Sequence, residues 1–131
     1  MELTERAGGG RAKVLVVDDE AIVRRTIERA LSAQCDVSAA ADGRGALALV
    51  RTGARFDAIL CDLMMPEMNG AEVHAALLRE APDQARRFAI LTGGAFSPRA
   101  EALLEACACP VVEKPFSRAA LLACVSALQA G

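Results

Sequence analysis

The sequence predicts an α/β domain in which a parallel β-sheet carries helices on both faces. Short, nearly continuous apolar runs alternate along the chain with stretches whose apolar residues recur at helical spacing. Repeated strand–helix units of this kind are typical of a parallel sheet, whose strands are buried on both sides. The five apolar runs cover residues 14–17, 37–40, 58–61, 88–91 and 111–112.

Each apolar run is followed by a predicted helix. The first helix is expected within residues 20–34, where Val23, Ile27 and Leu31 share one face. The third is expected over residues 71–79, because Pro82 limits its extension. The fifth begins after a Ser cap and is almost entirely apolar. The cap, turn and breaker residues that bound the other helices are Asp42, Gly43, Gly53, Ser97, Pro98 and Ser117.

Length and composition indicate one soluble, folded domain. The chain has 131 residues, of which 53% are hydrophobic, and its formal net charge is -2. Such a charge gives no general attraction to nucleic acid or to an anionic membrane, so neither is expected as a partner. Residues 1–12 are predicted to be a flexible leader or linker without a signal peptide, and residues 13–131 the folded domain. The five cysteines do not suggest a disulfide framework, which favours a cytoplasmic location.

Residues suited to phosphoryl chemistry follow four of the predicted strands. Asp18 and Asp19 follow the first strand, Asp62 the third, Thr92 the fourth and Lys114 the fifth. Open α/β sheets build their sites at the carboxyl ends of parallel strands, so these side chains are expected to converge. Asp62 can act as a nucleophile toward phosphorus. The Thr92 hydroxyl and the Lys114 ammonium suit the phosphoryl oxygens, on which negative charge spreads during transfer.

The neighbouring acids predict a Mg²⁺ site. Two adjacent carboxylates repel each other unless a hard cation keeps them ionised. Mg²⁺ typically takes one or two carboxylates, several waters and phosphate oxygens. Asp19 and Asp62 are expected to bind the ion directly, Asp18 through water, and the backbone carbonyl of Met64 to complete the protein ligands.

These motifs resemble the receiver domains of two-component response regulators, over residues 13–131. The matching segments are residues 16–20 (VVDDE), 62–70 (DLMMPEMNG), 91–94 (LTGG) and 113–116 (EKPF). The resemblance implies a flavodoxin-like (CheY-like) fold with strand order 2-1-3-4-5 and five helices. It also implies Mg²⁺-dependent phosphotransfer from a histidine kinase or histidine phosphotransfer domain to Asp62. A cis peptide between Lys114 and Pro115 is implied as well.

The resemblance also concerns how the domain would signal. Receivers use the face formed by the fourth helix, fifth strand and fifth helix, and many carry an aromatic switch residue three positions before the lysine. Here that position is Val111, so signalling is expected to use loop and helix movements instead. Residues 91–100 and 112–116 also resemble receivers attached to hybrid sensor histidine kinases. The sequence favours neither a hybrid-kinase receiver nor a stand-alone receiver over the other.

The last predicted helix has no charged residue from position 119 to position 130. A helix that is apolar on nearly all sides is usually buried or used as a contact surface. We therefore expect it to contact either a second copy of the chain or a neighbouring kinase domain. It lacks the charged pattern with which DNA-binding members of the resembled family dimerise, and no output domain is expected after it.

Three other functions are alternatives to phosphoacceptance. A phosphatase with an aspartate nucleophile would place its acids as Asp-x-Asp after the first strand, and a nucleotide binder would have a Gly-rich loop there. A docking module that is not phosphorylated is the stronger alternative, although such modules typically lose one of the five site residues. The domain is not expected to be an enzyme beyond slow loss of its own phosphoryl group. Met64 and Gly94 offer no side chain to position water, which predicts a long-lived phosphoryl state.

Several other residues have a simpler interpretation. His74 is the only histidine and lies on a predicted helix without an acidic or cysteine partner at ligand spacing, so a core position is expected. Cys107 and Cys109 form a Cys-x-Cys pair for which a metal or redox role has little support without further ligands. The methionines after Asp62 are expected to pack within their loop.

Overall fold

A computed structural model describes residues 11–93 and 97–130 of the chain. The strands among these residues are β1 (Ala12–Val17), β2 (Cys35–Ala40), β3 (Ala58–Asp62), β4 (Phe88–Thr92) and β5 (Val111–Glu113). The helices are α1 (Ala21–Leu31), α2 (Gly43–Arg51), α3 (Gly70–Glu80), α4 (Pro82–Ala85), α5 (Pro98–Cys107) and α6 (Arg118–Ala130).

All five strands are parallel and lie in the order β2-β1-β3-β4-β5. The predicted flavodoxin-like fold and strand order are therefore confirmed. In the register of the central strands, Val17 pairs with Cys61, and Asp62 pairs with Leu91. At the far edge, Thr92 pairs with Glu113. This register aligns the carboxyl ends of β1, β3, β4 and β5 at one edge of the sheet.

The sheet separates two hydrophobic cores, which explains why the central strands are apolar at nearly every position. Every residue of β3 and β4 is buried. One core lies between the sheet and α2, α3 and α5, and its largest members include Leu15, Ile59, Leu77 and Phe88. The other lies beneath α1 and α6 and is formed by Ala12, Val14, Val16, Ile27, Leu31, Cys35, Ala58, Leu60, Ala89, Leu91, Leu121, Val125 and Leu128.

The predicted cap residues are found in place. The Asp42 side chain accepts a hydrogen bond from the amide of Gly45 (2.7 Å), and the Ser117 hydroxyl accepts one from the amide of Ala120 (3.0 Å). The Ser97 hydroxyl accepts from the third amide of α5 (3.1 Å). Gly53 follows the end of α2 with a φ of 101°, which only glycine adopts without strain. These caps fix where the helices enter from the site edge of the sheet.

The prediction of five helices is wrong, because the described residues form six. The additional helix is the one-turn α4. Pro82 does end α3, but it also starts the one-turn helix α4, because proline is well suited to the first helical position. The Gln84 side chain in this turn is buried. It accepts a hydrogen bond from the amide of Phe56 (2.9 Å) and donates one to the same residue's carbonyl (3.1 Å). The extra turn therefore secures the loop that leads into β3.

The cysteines also depart from the sequence interpretation at one place. Cys107 and Cys109 are joined by a disulfide, whereas Cys35, Cys61 and Cys124 are free. The intervening Ala108 has a φ of 50°, which turns the chain so that the two Cys Cα atoms are 5.5 Å apart. Residue types at this turn do not signal such a conformation, so the spacing alone could not predict the bond.

Most of the predicted leader, residues 1–12, lies outside the described residues. Arg11 is described, and its guanidinium donates to the carbonyls of Ser32 and of Cys35, the latter at 3.0 Å. β1 begins at Ala12, one residue before the predicted start of the domain. Within residues 11–93 and 97–130, every helix is too short or too polar to cross a bilayer.

Candidate functional site

The sheet brings the predicted site residues together at its carboxyl edge. Asp18 follows β1, Asp62 and Thr92 end β3 and β4, and Lys114 follows β5. Asp18 is fully buried, and Asp62 and Thr92 are only 7% and 5% exposed. Asp19 is exposed to solvent beside them. Three carboxylates, a hydroxyl and an ammonium thus share one small region, as the strand-end pattern predicts.

The three carboxylates form a tight cluster. Asp18, Asp19 and Asp62 each place a carboxylate oxygen within 4.8 Å of the others. Oδ1 of Asp18 accepts a hydrogen bond from the amide of Glu20 (2.9 Å). Among the residues that the structure describes, none donates a hydrogen bond to the buried Oδ2 of Asp18. A buried, unsatisfied carboxylate oxygen is costly, and a nearby cation is the usual compensation.

Lys114 supplies the positive charge at this cluster. Its Nζ lies 3.6 Å from Oδ1 of Asp62 and 3.8 Å from Oδ2 of Asp18. Its backbone amide donates to the carbonyl of Thr92 (2.7 Å), and the peptide bond to Pro115 is cis, as the resemblance implies. The ammonium also lies 5.9 Å from the centre of the Phe116 ring. One ammonium therefore faces two buried carboxylates.

The environment makes the buried acids hard to ionise. Burial, followed by the negative charge of Asp18, raises the pKa of Asp62 to about 6, and the Lys114 ammonium opposes that rise. Burial also raises the pKa of Asp18, against the lowering effects of the Glu20 amide and of Lys114. One positive charge is thus not enough to balance the cluster, which indicates a site that favours a further cation.

The loop after β3 is shaped by close packing. A Cβ on Gly70 would lie 2.7 Å from the carbonyl oxygen of Asp62 and 2.8 Å from Cδ1 of Ile90, so only glycine fits there. Asn69 and Glu72 form a reciprocal capping box at the start of α3, with hydrogen bonds of 2.9 and 3.0 Å. Together they hold the backbone of α3 directly against the phosphoacceptor candidate.

Gly70 does not have the positive φ for which a loop glycine is often needed. Among the described residues, the loop's positive φ falls on Glu67 (66°), and Gly70 is required for its missing side chain. The motif spacing marks the glycine but does not distinguish between these two reasons.

Comparison with known proteins identifies the family. Residues 14–126 match the model of the response regulator receiver domain. The chain belongs to this family. Receiver domains are modules of two-component signalling and interact with histidine kinases or phosphotransfer partners.

Two named relatives support the assignment. The receiver domain is 38% identical over 117 residues to response regulator MprA of Mycolicibacterium vanbaalenii, an alignment that covers 88% of this chain and 49% of that protein. The chain thus spans about half the length of the curated relatives it matches. The structure of the Vibrio cholerae chemotaxis protein CheY4 superposes with a TM-score of 0.76 and 34% identity, covering 91% of this chain and 99% of that one.

A third similarity concerns the fold alone. The signal receiver domain of a signal transduction histidine kinase from Syntrophus aciditrophicus has a TM-score of 0.80 at 24% identity, covering 92% and 91% of the two chains. The narrower resemblance to hybrid-kinase receivers stays a prediction.

Other predicted residues of the receiver domain take the following places. The Met64 side chain, two residues after Asp62, is 48% exposed, and Val111 on β5 is 42% exposed. His74 is buried with its ring 5.1 Å from that of Phe88, and burial lowers its pKa, so the core interpretation holds. Gly94, predicted to flank the site, lies outside the described residues.

Sequence reasoning missed one residue that supports the site. The Arg24 guanidinium in α1 donates to the backbone carbonyl of Asp18 (2.8 Å). This bond ties the first turns of α1 to the chain segment that carries the acids. The helical periodicity places Arg24 on the polar face of α1, but it does not indicate which group Arg24 contacts.

Proposed function

We propose that this receiver domain accepts a phosphoryl group on Asp62 from a histidine kinase or a histidine phosphotransfer domain, with Mg²⁺ as cofactor. The observation that supports this most is the position of the Lys114 ammonium, 3.6 Å from Oδ1 of Asp62 and 3.8 Å from the acid on the neighbouring strand. A lone surface carboxylate would not need an ammonium beside it. A carboxylate that accepts a phosphoryl group needs one, because the transfer adds negative charge.

The chain's own residues can perform each part of the transfer. Asp62 Oδ attacks phosphorus, forming an O–P bond while the P–N bond of a phosphohistidine breaks. The Lys114 ammonium offsets negative charge on the phosphoryl oxygens, and the Thr92 hydroxyl can donate a hydrogen bond to one of them. The close packing at Gly70 holds the acceptor's backbone in place during attack.

The acid cluster fits a Mg²⁺ ion. The unsatisfied Oδ2 of Asp18 and the raised pKa of Asp62 both point to missing positive charge. Asp19, Asp62 and the backbone carbonyl of Met64 would hold the ion, with Asp18 acting through water. When bound, the cation would neutralise charge on the carboxylates and on the incoming phosphoryl group.

We propose that the domain is a phosphoacceptor and not an enzyme that turns over a substrate. Its only catalytic activity would be slow hydrolysis of its own aspartyl phosphate. The half-exposed Met64, two residues after Asp62, is apolar and cannot orient or activate a water. This favours a long-lived phosphoryl state. A cytoplasmic location, where kinases of this class place their phosphohistidine, belongs to the same proposal.

The proposed output surface is the face formed by α5, β5 and α6. These helices are the fourth and fifth of the sequence prediction, because the short α4 was not predicted. Leu121, Val125 and Leu128 point into the core, whereas Ala119 and Ala123 of α6 are exposed. Contact with a second copy or with a kinase domain would use this uncharged outer side. Val111 has no ring to reorient, so the phosphoryl state would reach this face through helix and loop movement. A monomer in sedimentation at high concentration, with and without beryllofluoride, would contradict self-association.

Beryllofluoride, a mimic of the phosphoryl group, tests the proposed function. The fluorine NMR spectrum of the protein with beryllofluoride and Mg²⁺ is expected to show a bound signal. That signal should be absent with Asp62→Asn and absent when Mg²⁺ is removed by a chelator. A spectrum that is the same for the wild type and Asp62→Asn would overturn the proposal and favour the docking module that is not phosphorylated.

A further inference from the structure

The disulfide between Cys107 and Cys109 has no part in the phosphoacceptor site. It lies at the end of α5, in the turn that leads into β5. Ala108 between the two cysteines has a φ of 50°, and its amide donates to the carbonyl of Leu104 (3.3 Å). The Cα separation of 5.5 Å lies within the range that a disulfide bridges.

The bond is poorly suited to be a structural staple. A disulfide stabilises a protein mainly by removing conformational entropy from the unfolded chain, and this effect grows with the length of the closed loop. Here the loop contains one intervening residue. The surrounding core already holds Cys107, which is buried, with Leu103 and Leu104 packed nearby. Little folding stability therefore depends on the bond, so it can be broken and re-formed without loss of the fold.

The other three cysteines are arranged differently. Cys35 and Cys61 are buried and Cys124 is half-buried, and burial raises the pKa of each thiol. Such thiols carry little thiolate and react slowly. Of the five cysteines in the chain, Cys107 and Cys109 form the disulfide, and the other three are free thiols of low reactivity.

We propose that Cys107 and Cys109 are a redox-active pair that undergoes thiol–disulfide exchange with low-molecular-mass disulfides such as oxidised glutathione. The half-buried Cys109 attacks first, because Cys107 is only 5% exposed. The Cys109 thiolate forms a mixed disulfide and releases one glutathione thiolate. The Cys107 thiolate then attacks Sγ of Cys109 and releases the second. The protein loses two protons and two electrons, and one glutathione disulfide becomes two glutathione thiols.

The disulfide is adjacent in sequence to a hydrogen bond between β4 and the residue that precedes β5. The carbonyl of Pro110, next to Cys109, accepts a hydrogen bond from the amide of Ile90 (2.8 Å). Ile90 pairs with Val111, and the strand that begins there leads to Lys114. Reduction frees the turn at Ala108 and loosens this first hydrogen bond of β5. The amide of Ile90 is therefore expected to exchange its hydrogen faster in the reduced protein.

The test uses the full chain equilibrated in glutathione buffers of different reduction potential, acid-quenched, unfolded and alkylated. Mass spectrometry should count three alkylated cysteines in oxidising buffer and five in reducing buffer, joined by one reversible transition. Five alkylated cysteines at every buffer composition would overturn the proposal. Equal hydrogen exchange of the Ile90 amide in the two forms would contradict the coupling of the disulfide to β5.

Single variants test the order of the two steps. With Cys107→Ser, peptide mapping should find a glutathione adduct that accumulates on Cys109, because no thiol resolves it. With Cys109→Ser, Cys107 should stay unmodified over the same time, since it is buried. An adduct on Cys107 that forms as fast as the one on Cys109 would contradict the assigned roles. None of these readouts depends on phosphorylation of Asp62.

Discussion

The backbone amide of Lys114 donates a hydrogen bond to the carbonyl of Thr92 at 2.7 Å. This bond places the ammonium-bearing residue beside the hydroxyl-bearing residue, at the ends of adjacent strands. Phosphoryl recognition in the proposed function depends on both groups reaching the same phosphoryl group. Their spacing is therefore fixed by the sheet itself and not by a flexible loop.

Replacement of Asp62 by Asn is expected to stabilise the metal-free protein at neutral pH. The folded-state pKa of Asp62 is about 6, against 3.8 for the ordinary group, so the folded state keeps a proton that the unfolded chain releases. Wild-type stability should therefore fall as pH rises from about 4 to about 6. A shift of this size corresponds to at most about 3 kcal/mol.

Urea unfolding in chelator at pH 4 and pH 7.5 measures this effect. The free energy of unfolding of Asp62→Asn should match the wild type at the lower pH and exceed it by about 1–3 kcal/mol at the higher pH. A variant that is less stable than the wild type at pH 7.5 would show that the ionised carboxylate is well compensated without a cation.

Addition of Mg²⁺ is expected to stabilise the wild type and to have little effect on Asp19→Asn or Asp62→Asn. A ligand that binds only the folded state at ten times its Kd adds about 1.4 kcal/mol. Thermal unfolding at pH 7.5 over a series of MgCl₂ concentrations measures this, with NaCl at equal ionic strength as the control. Equal shifts in the wild type and in both variants would place the ion elsewhere.

Gly70→Ala is expected to destabilise the protein, because the new Cβ would meet the carbonyl oxygen of Asp62 at 2.7 Å and the Leu63 Cα at 3.2 Å. Backbone atoms cannot move aside cheaply, so a loss of about 1–3 kcal/mol is expected in chemical denaturation. Gly93→Ala is the matched control, since its Cβ would meet no atom of the described residues within 4 Å. Equal losses in the two variants would argue against close packing at the acceptor.

Met64→Asn is expected to shorten the life of the phosphoryl group. An amide at this half-exposed position can hold a water near the aspartyl phosphate, which the thioether cannot. Loss of label from the purified, phosphorylated domain should accelerate by about tenfold. Met64→Leu, which keeps the position apolar, should leave the rate unchanged. Rapid hydrolysis in the wild type itself would contradict the long-lived state.

The sequence could predict the site because each important residue comes at the end of an apolar run. Once the strands are parallel, Asp18, Asp62, Thr92 and Lys114 must lie at one edge whatever the details of the loops. The excess of buried negative charge follows from the same placement. The size of its effect on the pKa values cannot be predicted from the sequence, since it depends on how deeply Asp18 is buried.

Features that depend on a single backbone angle could not be predicted in this way. Among the described residues other than glycine, the positive φ values fall on Glu67 and Ala108, and neither residue type favours that conformation. The disulfide follows from the second of these. The one-turn helix at Pro82 could have been predicted from the sequence, because proline favours the first turn of a helix as well as ending the previous one.

Phosphorylation of Asp62 is tested most directly by intact-mass measurement of the domain incubated with acetyl phosphate and Mg²⁺. The wild type is expected to gain the mass of one phosphoryl group, and peptide mapping should place it on Asp62. Asp62→Asn should gain none, and Lys114→Met should gain it much more slowly. A wild-type mass that does not change, or an equal gain in Asp62→Asn, would contradict the phosphoacceptor role.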